Sequence, residues 1–100
     1  MLYLVECEKD NEKFYKVGIT VNSISERFKG SRMPYKVRLV DNLVGSPEHI
    51  FDLEKLIQRE MKVYKYFPKL HMEGKTECFE DNPVILKMFR KHVCLENNNS

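Results

Sequence analysis

Two apolar segments near the amino end, residues 2–7 and 14–20, flank a short polar stretch centred on Asp10 and Asn11. β-branched, aromatic and aliphatic side chains on both sides of such a pair are typical of a β-hairpin with a tight turn. If the turn is centred on this pair, the numbers of directly opposed residues sum to 21. The sequence therefore predicts a hairpin together with its register.

The register sorts the hairpin side chains onto two faces, because successive residues of a strand point to opposite sides. One face is apolar and is the predicted core face. Its residues are Leu2, Leu4, Val17 and Ile19. The other face carries Tyr3 and Lys16 as diagonal neighbours, with Gly18 directly opposite Tyr3. A polar pair on an otherwise apolar hairpin indicates a role beyond packing.

A short helix is predicted after the hairpin, because Ser23 and Glu26 have the spacing of a capping box and Gly30 is a natural stop. Its apolar residues are four positions apart and face the core. They are Ile24 and Phe28. Arg27 follows Ile24 by three positions, so its guanidinium is expected at the rim of the buried face.

The remaining pattern predicts a strand over residues 36–44, a long helix over 46–67 ended by a proline, and a loop over 69–76. A last helix follows over 81–93, and the polar tail at 96–100 is predicted to be disordered. The element order is β-β-α-β-α-α. The predicted class is α/β (α+β), with a three-stranded, mainly antiparallel sheet flanked by helices.

The length of 100 residues suits one compact domain, expected over residues 1–95, and excludes a repeat array. The three cysteines are odd in number and widely spaced, and no C-x-x-C occurs, so neither a disulfide scaffold nor a zinc knuckle is expected. The longest apolar runs are far shorter than a membrane span. We expect a protein with reduced thiols, in the cytoplasm or a nucleus, without a membrane partner.

The charge is unevenly distributed, although the net charge is only +2, from 17 basic and 15 acidic residues. Residues 27–40 contain five basic residues and no acidic one. These are Arg27, Lys29, Arg32, Lys36 and Arg38. Such a stretch is the minimum electrostatic footprint for a phosphate backbone, so the last four are candidate nucleic-acid-binding residues. A solvated basic surface is the alternative interpretation.

Four segments in order resemble the motifs of the GIY-YIG nuclease superfamily: residues 2–4, 15–20, Arg27 and 76–79. The resemblance covers residues 1–82. It maps the first-motif tyrosine onto Tyr3 and the second-motif glycine onto Gly18. Lys16 stands where that motif has a tyrosine, as in a phage-type subgroup.

The resemblance further implies Arg27 as the family's helix arginine, Glu77 as its metal-binding glutamate, and a scaffold role for Glu54. The chemistry of these residue types agrees. Mg²⁺, or Mn²⁺ in its place, takes oxygen ligands and needs only one or two protein carboxylates. A guanidinium matches two phosphate oxygens.

Hydrolysis of a phosphodiester also needs an activated water. A tyrosine phenol is a poor base alone, but a neighbouring ammonium favours its ionised form. The hypothesis is that Tyr3, assisted by Lys16, takes the proton of the attacking water. Arg27 then holds phosphate and Glu77 holds metal.

Two other classes of function stay open. One is a binding module of the same fold that does not cleave, and the other is a protein-interaction domain. DNA is the expected partner, with RNA not distinguished, since no base-reading element is recognisable. Target choice is expected to come from a homodimer or a partner protein, because the domain leaves no room for a targeting module.

Overall fold

A four-stranded antiparallel sheet in the order β3-β1-β2-β4 organises the chain. The computed structural model describes residues 1–29, 33–70, 72 and 77–98, with side chains as far as residue 94. The elements are β1 (Leu2–Lys9), β2 (Glu12–Ile19), α1 (Ile24–Phe28), β3 (Lys36–Leu43), α2 (Pro47–Glu60), a 3₁₀ turn (Lys62–Tyr64), β4 (Cys78–Glu80) and α3 (Pro83–Asn98). The predicted α+β class is confirmed, but the sheet has four strands rather than three.

The β1–β2 hairpin has the predicted register. Leu2 pairs with Ile19 and Tyr3 with Gly18, and every further pair also sums to 21. Asp10 has a φ of 54°, a left-handed conformation that two-residue hairpin turns require. The turn residues and the strand pattern therefore specify the same pairing.

The missed strand, β4, also explains why the long helix is shorter than predicted. α2 ends at Glu60 and is followed by the 3₁₀ turn, and Lys65 then forms a bridge with Phe79. The amide of Tyr66 donates to the carbonyl of Cys78 at 2.9 Å. The backbone after the turn is thus committed to β4 and cannot continue the helix. β4 itself has only three residues, too few for an alternating pattern.

One face of the sheet packs against α2 and α3. It is the face that the sequence predicts to be the core face. The buried residues of this first cluster are Leu2, Leu4, Tyr15, Val17, Ile50, Leu53, Ile57, Met61, Phe79, Ile85, Phe89 and Val93. Their helical members recur at the spacing of an amphipathic helix. This cluster is the main core.

The opposite face is buried as well, which the sequence pattern did not indicate. Its second cluster consists of Tyr3, Val5, Cys7, Phe14, Tyr35, Met72 and Cys78, with Ile24 and Phe28 of α1 packed against it. The face that carries Tyr3 and Lys16 is therefore an apolar interior and not a polar surface.

Glu12, at the start of β2, ties the chain after α2 to the sheet. Its carboxylate accepts hydrogen bonds from the Tyr35 hydroxyl at 2.5 Å, from the Tyr66 hydroxyl, and from the Lys69 amide at 2.9 Å. Burial, and then the bond to Glu12, raises the pKa of Tyr66 to about 12, so this phenol stays a donor. The three bonds hold the segment that leads toward β4.

Several predicted features lie at the edge of the described chain. Gly30, the predicted stop of α1, lies outside the described residues. α3 continues to Asn98, past the start of the tail predicted to be disordered, and residues 99–100 are outside the description. Within the described ranges, no helix has the length and apolar character needed to cross a bilayer.

We predict that Glu12→Gln lowers the free energy of unfolding by about 1–2 kcal/mol at neutral pH, because charge-assisted hydrogen bonds are lost. Burial acts to raise the pKa of Glu12, but the bonds from Tyr35, Tyr66 and Lys69 outweigh it and the pKa is lowered. A carboxylate with a lowered pKa stabilises the fold above its unfolded pKa, and that stability is lost as the pH falls.

Urea denaturation between neutral pH and about pH 3 measures the difference between the two proteins, which should shrink below about pH 4.5. Glu8→Gln, at an exposed position of the same hairpin, is the control and should change little. A pH-independent difference would contradict the role assigned to the carboxylate.

Candidate active site

The ammonium of Lys16 lies at the centre of the candidate site. Its Nζ donates to the hydroxyl oxygen of Tyr3 at 3.2 Å and to Oε2 of Glu77 at 2.9 Å. The side chain of Lys16 is 0% exposed, that of Glu77 is 34% exposed, and Tyr3 is 1% exposed. The structure thus brings together three of the four predicted catalytic residues, from β1, β2 and the residue before β4.

Lys16 is held in its charged form. Burial acts to lower the pKa of its amine, but the interactions with Tyr3 and Glu77 outweigh burial and raise the pKa above its ordinary value. A buried charge is costly unless it is paired and hydrogen-bonded. The two oxygens supply that pairing, so a positive charge is fixed against the phenol.

Gly18 is needed for the position of the Tyr3 ring. A Cβ at this position would lie 2.4 Å from the Tyr3 hydroxyl oxygen and 2.6 Å from Cζ. The phenol of Tyr3 fills the space above the glycine, and its hydroxyl oxygen accepts the hydrogen bond from Lys16 there.

Glu54 belongs to the electrostatics of the site, beyond the scaffold role expected from the sequence. Burial raises the pKa of its half-buried carboxyl, the charge of Glu77 raises it further, and Lys16 opposes the shift. These effects require Glu54, on α2, to be near both partners. In the sequence, the position of Glu54 beside Leu53, at the border of the apolar stripe of the helix, is the feature that could have indicated this role.

α1 covers the tyrosine and carries the predicted arginine. The rings of Phe28 and Tyr3 meet edge to face, with centroids 6.0 Å apart at 80°. Arg27 is half-buried, and its Cζ lies 5.3 Å from the Phe28 ring. Among the described residues, no carboxylate forms an ion pair with Arg27. Its guanidinium is therefore available beside the site, one aromatic ring away from Tyr3.

Two residues of the basic stretch, Lys36 and Arg38, lie away from the site. In the register of β3 with β1, Lys36 pairs with Glu8 and Arg38 pairs with Glu6. Both side chains therefore lie on the face of the sheet that α2 and α3 cover, whereas Lys16 lies on the opposite face. Arg38 is moreover bound to Glu6 at 3.1 Å. Lys29 is exposed just after α1, and Arg32 lies outside the described residues.

The cysteines add no nucleophile to the site. Cys7 and Cys78 are buried and Cys94 is exposed, and all three carry reduced thiols. Burial raises the pKa of Cys7 and of Cys78 to about 12. A thiol with so high a pKa is protonated at neutral pH and unreactive.

The carboxylates of Glu77 and Glu54 fit a divalent cation by their chemistry. They are hard oxygen donors, and the raised pKa of Glu54 reflects unfavourable negative charge that a cation would relieve. Within the described part of the chain, no group of three His, Cys, Asp or Glu side chains is placed to hold a metal ion. Two carboxylates suffice for Mg²⁺, which keeps most of its waters.

The fold and the site define a small α+β domain with a tyrosine–lysine–glutamate cluster centred on a buried ammonium. The T5orf172 domain matches residues 1–94, and the chain belongs to this family, which is related to the GIY-YIG/HNH-like nuclease-type fold. A comparison with the curated proteins and one with the solved structures each gave no match. Membership indicates a nuclease-like or nucleic-acid-related module.

We predict that Gly18→Ala destabilises the fold by about 1–3 kcal/mol, because the added methyl displaces the Tyr3 ring from a packed interior. Urea denaturation measures the loss. Gly45→Ala is the matched control, since its Cβ would make ordinary contact with Ile50 at 3.5 Å, and it should cost less than about 0.5 kcal/mol. Equal effects of both substitutions would contradict the packing argument.

Proposed function

We propose that this domain is a metal-dependent endonuclease of GIY-YIG type, of the phage-type subgroup with lysine in the second motif, that hydrolyses phosphodiester bonds of DNA. The observation that carries the proposal is the ammonium of Lys16 between the oxygens of Tyr3 and Glu77. A buried ion pair contributes little net stability, so the placement of a lysine against a phenol oxygen favours a role in proton transfer.

Tyr3 and Lys16 form the proton-accepting unit. Lys16 donates to the Tyr3 hydroxyl oxygen at 3.2 Å and orients it, and this oxygen takes the proton of the attacking water. Gly18 keeps the hydroxyl directed at Lys16. The proton moves from the water to the Tyr3 oxygen as the water oxygen bonds to phosphorus and the bond from phosphorus to the leaving sugar oxygen breaks, and that sugar oxygen takes a proton from solvent.

Arg27 supplies a permanent positive charge for the phosphate. Its planar donors suit two phosphate oxygens, and its contact with Phe28 restricts its motion beside Tyr3. Negative charge that develops on the phosphate in the transition state is stabilised there.

Glu77, with Glu54, would hold Mg²⁺ or Mn²⁺. Such a cation, when bound, supplies positive charge to the phosphate and lowers the pKa of a coordinated water. Glu77 is the more exposed member of the cluster, so it is where solvent meets the site. Lys16 balances the charge of Glu77 within the protein.

A second candidate is a nucleic-acid-binding module of the same fold that does not cleave. The enclosure of Tyr3 and Lys16, at 1% and 0% exposed, favours it, because a general base must reach its water. This module would bind DNA or RNA, as a homodimer or with a targeting partner protein.

We predict that the wild-type protein nicks supercoiled plasmid in Mg²⁺, and that Tyr3→Phe and Glu77→Gln each reduce the rate by about 10²–10⁴-fold, the contribution of a general base or a metal ligand. Gel separation of nicked and supercoiled forms gives the rates. Chelation of the metal should abolish nicking.

Two controls match the chemistry of these substitutions. Tyr64→Phe removes the hydroxyl of a half-buried tyrosine outside the site, and Glu80→Gln neutralises an exposed carboxylate of β4. Both should retain activity. Salt-dependent DNA binding without any metal-dependent nicking would support the non-cleaving module instead.

We also predict that Lys16→Met abolishes nicking while it changes the free energy of unfolding by less than about 1 kcal/mol. Methionine fills a similar volume, and a buried ion pair replaced by an apolar side chain often costs little. Glu77 is partly exposed, so its carboxylate stays solvated. A loss of about 3–5 kcal/mol in urea denaturation would instead assign Lys16 a structural role.

A further inference from the structure

A second group of basic residues surrounds a cavity between α2, the 3₁₀ turn and β4. The cavity has a volume of about 300 Å³. Its lining residues are Lys55, Gln58, Arg59, Lys62, Lys65 and Phe79. None of these four cations belongs to the basic stretch at residues 27–40.

The helical period brings these cations together. Lys55, Arg59 and Lys62 follow one another at intervals of four and three residues, which places them on one face. Lys65 joins them because its backbone forms the bridge with Phe79 of β4. The end of α2 and the edge of the sheet therefore enclose one basic cavity.

The described part of the chain leaves the positive charge of this group without a carboxylate partner. In the described ranges, no carboxylate forms an ion pair with any of the four cations. Glu60, the acid next to Arg59, is bound to His92 of α3 at 2.7 Å. The helix dipole attracts cations to the last turn of α2, but only Arg59 lies there. An external anion is thus the missing counter-charge.

Gln58 gives an independent indication of a ligand. Its Nε2 is buried and has no hydrogen-bond partner among the described residues. A buried donor without an acceptor destabilises the fold, because the amide has lost its hydrogen bonds to water. An oxyanion in the cavity would supply that acceptor, and a phosphate group has the oxygens to bind the amide and several cations at once.

The cavity adjoins the candidate active site. Gln58 lies one helical turn after Glu54, a rise of about 6 Å, and Phe79 lies two residues after Glu77. One strand of duplex DNA carries a phosphate about every 3.4 Å along its axis. A backbone that passes the active site would therefore reach the cavity within one or two nucleotides.

We infer that the cavity lined by Lys55, Gln58, Arg59 and Lys62 binds a backbone phosphate of a nucleic acid. Its placement next to the cleaved bond rests on the proposed nuclease function, whereas phosphate binding at the cavity does not.

The test compares the wild-type protein with the double variants Arg59→Gln/Lys62→Gln and Lys55→Gln/Lys65→Gln. The control is Lys9→Gln/Lys87→Gln, which removes the same charge from exposed lysines outside the cavity. Fluorescence anisotropy with a labelled DNA duplex of about 20 base pairs, in chelator without metal, gives Kd from about 25 to 200 mM salt. Urea denaturation verifies that each variant is folded.

Each cation that contacts a phosphate contributes about 0.9 to the slope of log K against log salt. We expect the slope to fall by roughly 1–2 in both cavity variants and to stay at the wild-type value in the control. Cavity variants that keep the wild-type slope, a control that loses as much, or a wild-type protein without salt-dependent binding would overturn the inference. A wild-type protein that binds in this way and fails to nick plasmid would overturn the nuclease function alone.

Discussion

The candidate site depends on one buried charge, the ammonium of Lys16. It has two partners, the phenol oxygen of Tyr3 and the carboxylate of Glu77, and both are required because an unpaired ammonium in this interior would be too costly. The three residues come from separate parts of the chain, so the pairing can form only when β1, β2 and the residue before β4 are in register. Gly18 belongs to the same constraint, since any larger residue would move the phenol. Fold and site are therefore specified by the same contacts around β2.

The hairpin was predictable because local chemistry alone determines it. Asp10 and Asn11 define a two-residue turn, the turn sets the register, and the register makes Tyr3 and Lys16 neighbours on one face. The position of Glu77 beside Lys16 agrees with what the family resemblance implied. β4 was missed because three residues carry no periodic pattern, and its strand character depends on pairing with Phe14 to Lys16. The helix end was misplaced for the same reason, since residues after Glu60 pair with β4.

The clustering of basic residues along the sequence did not predict where these residues lie in the structure. The basic stretch is compact in the sequence, yet the period of two in β3 turns Lys36 and Arg38 away from the site, and Arg38 is bound to Glu6. The basic residues around the cavity, Lys55, Arg59, Lys62 and Lys65, are three or four positions apart, so they form no continuous basic run in the sequence. Burial of the second sheet face was equally hidden, because the residues that cover it come from distant segments such as Tyr35 and Met72.

α2 shows how one helix serves both the core and the chemistry. Ile50, Leu53 and Ile57 point into the first cluster, and this fixes the rotation of the helix about its axis. With the rotation fixed, Glu54 is directed to the border where Lys16 and Glu77 act on its pKa, and Gln58 follows one turn later in the wall of the basic cavity. The positions of the polar residues are thus set by apolar packing. A substitution in that apolar stripe would therefore disturb the carboxylate pair and the cavity together, although it touches neither.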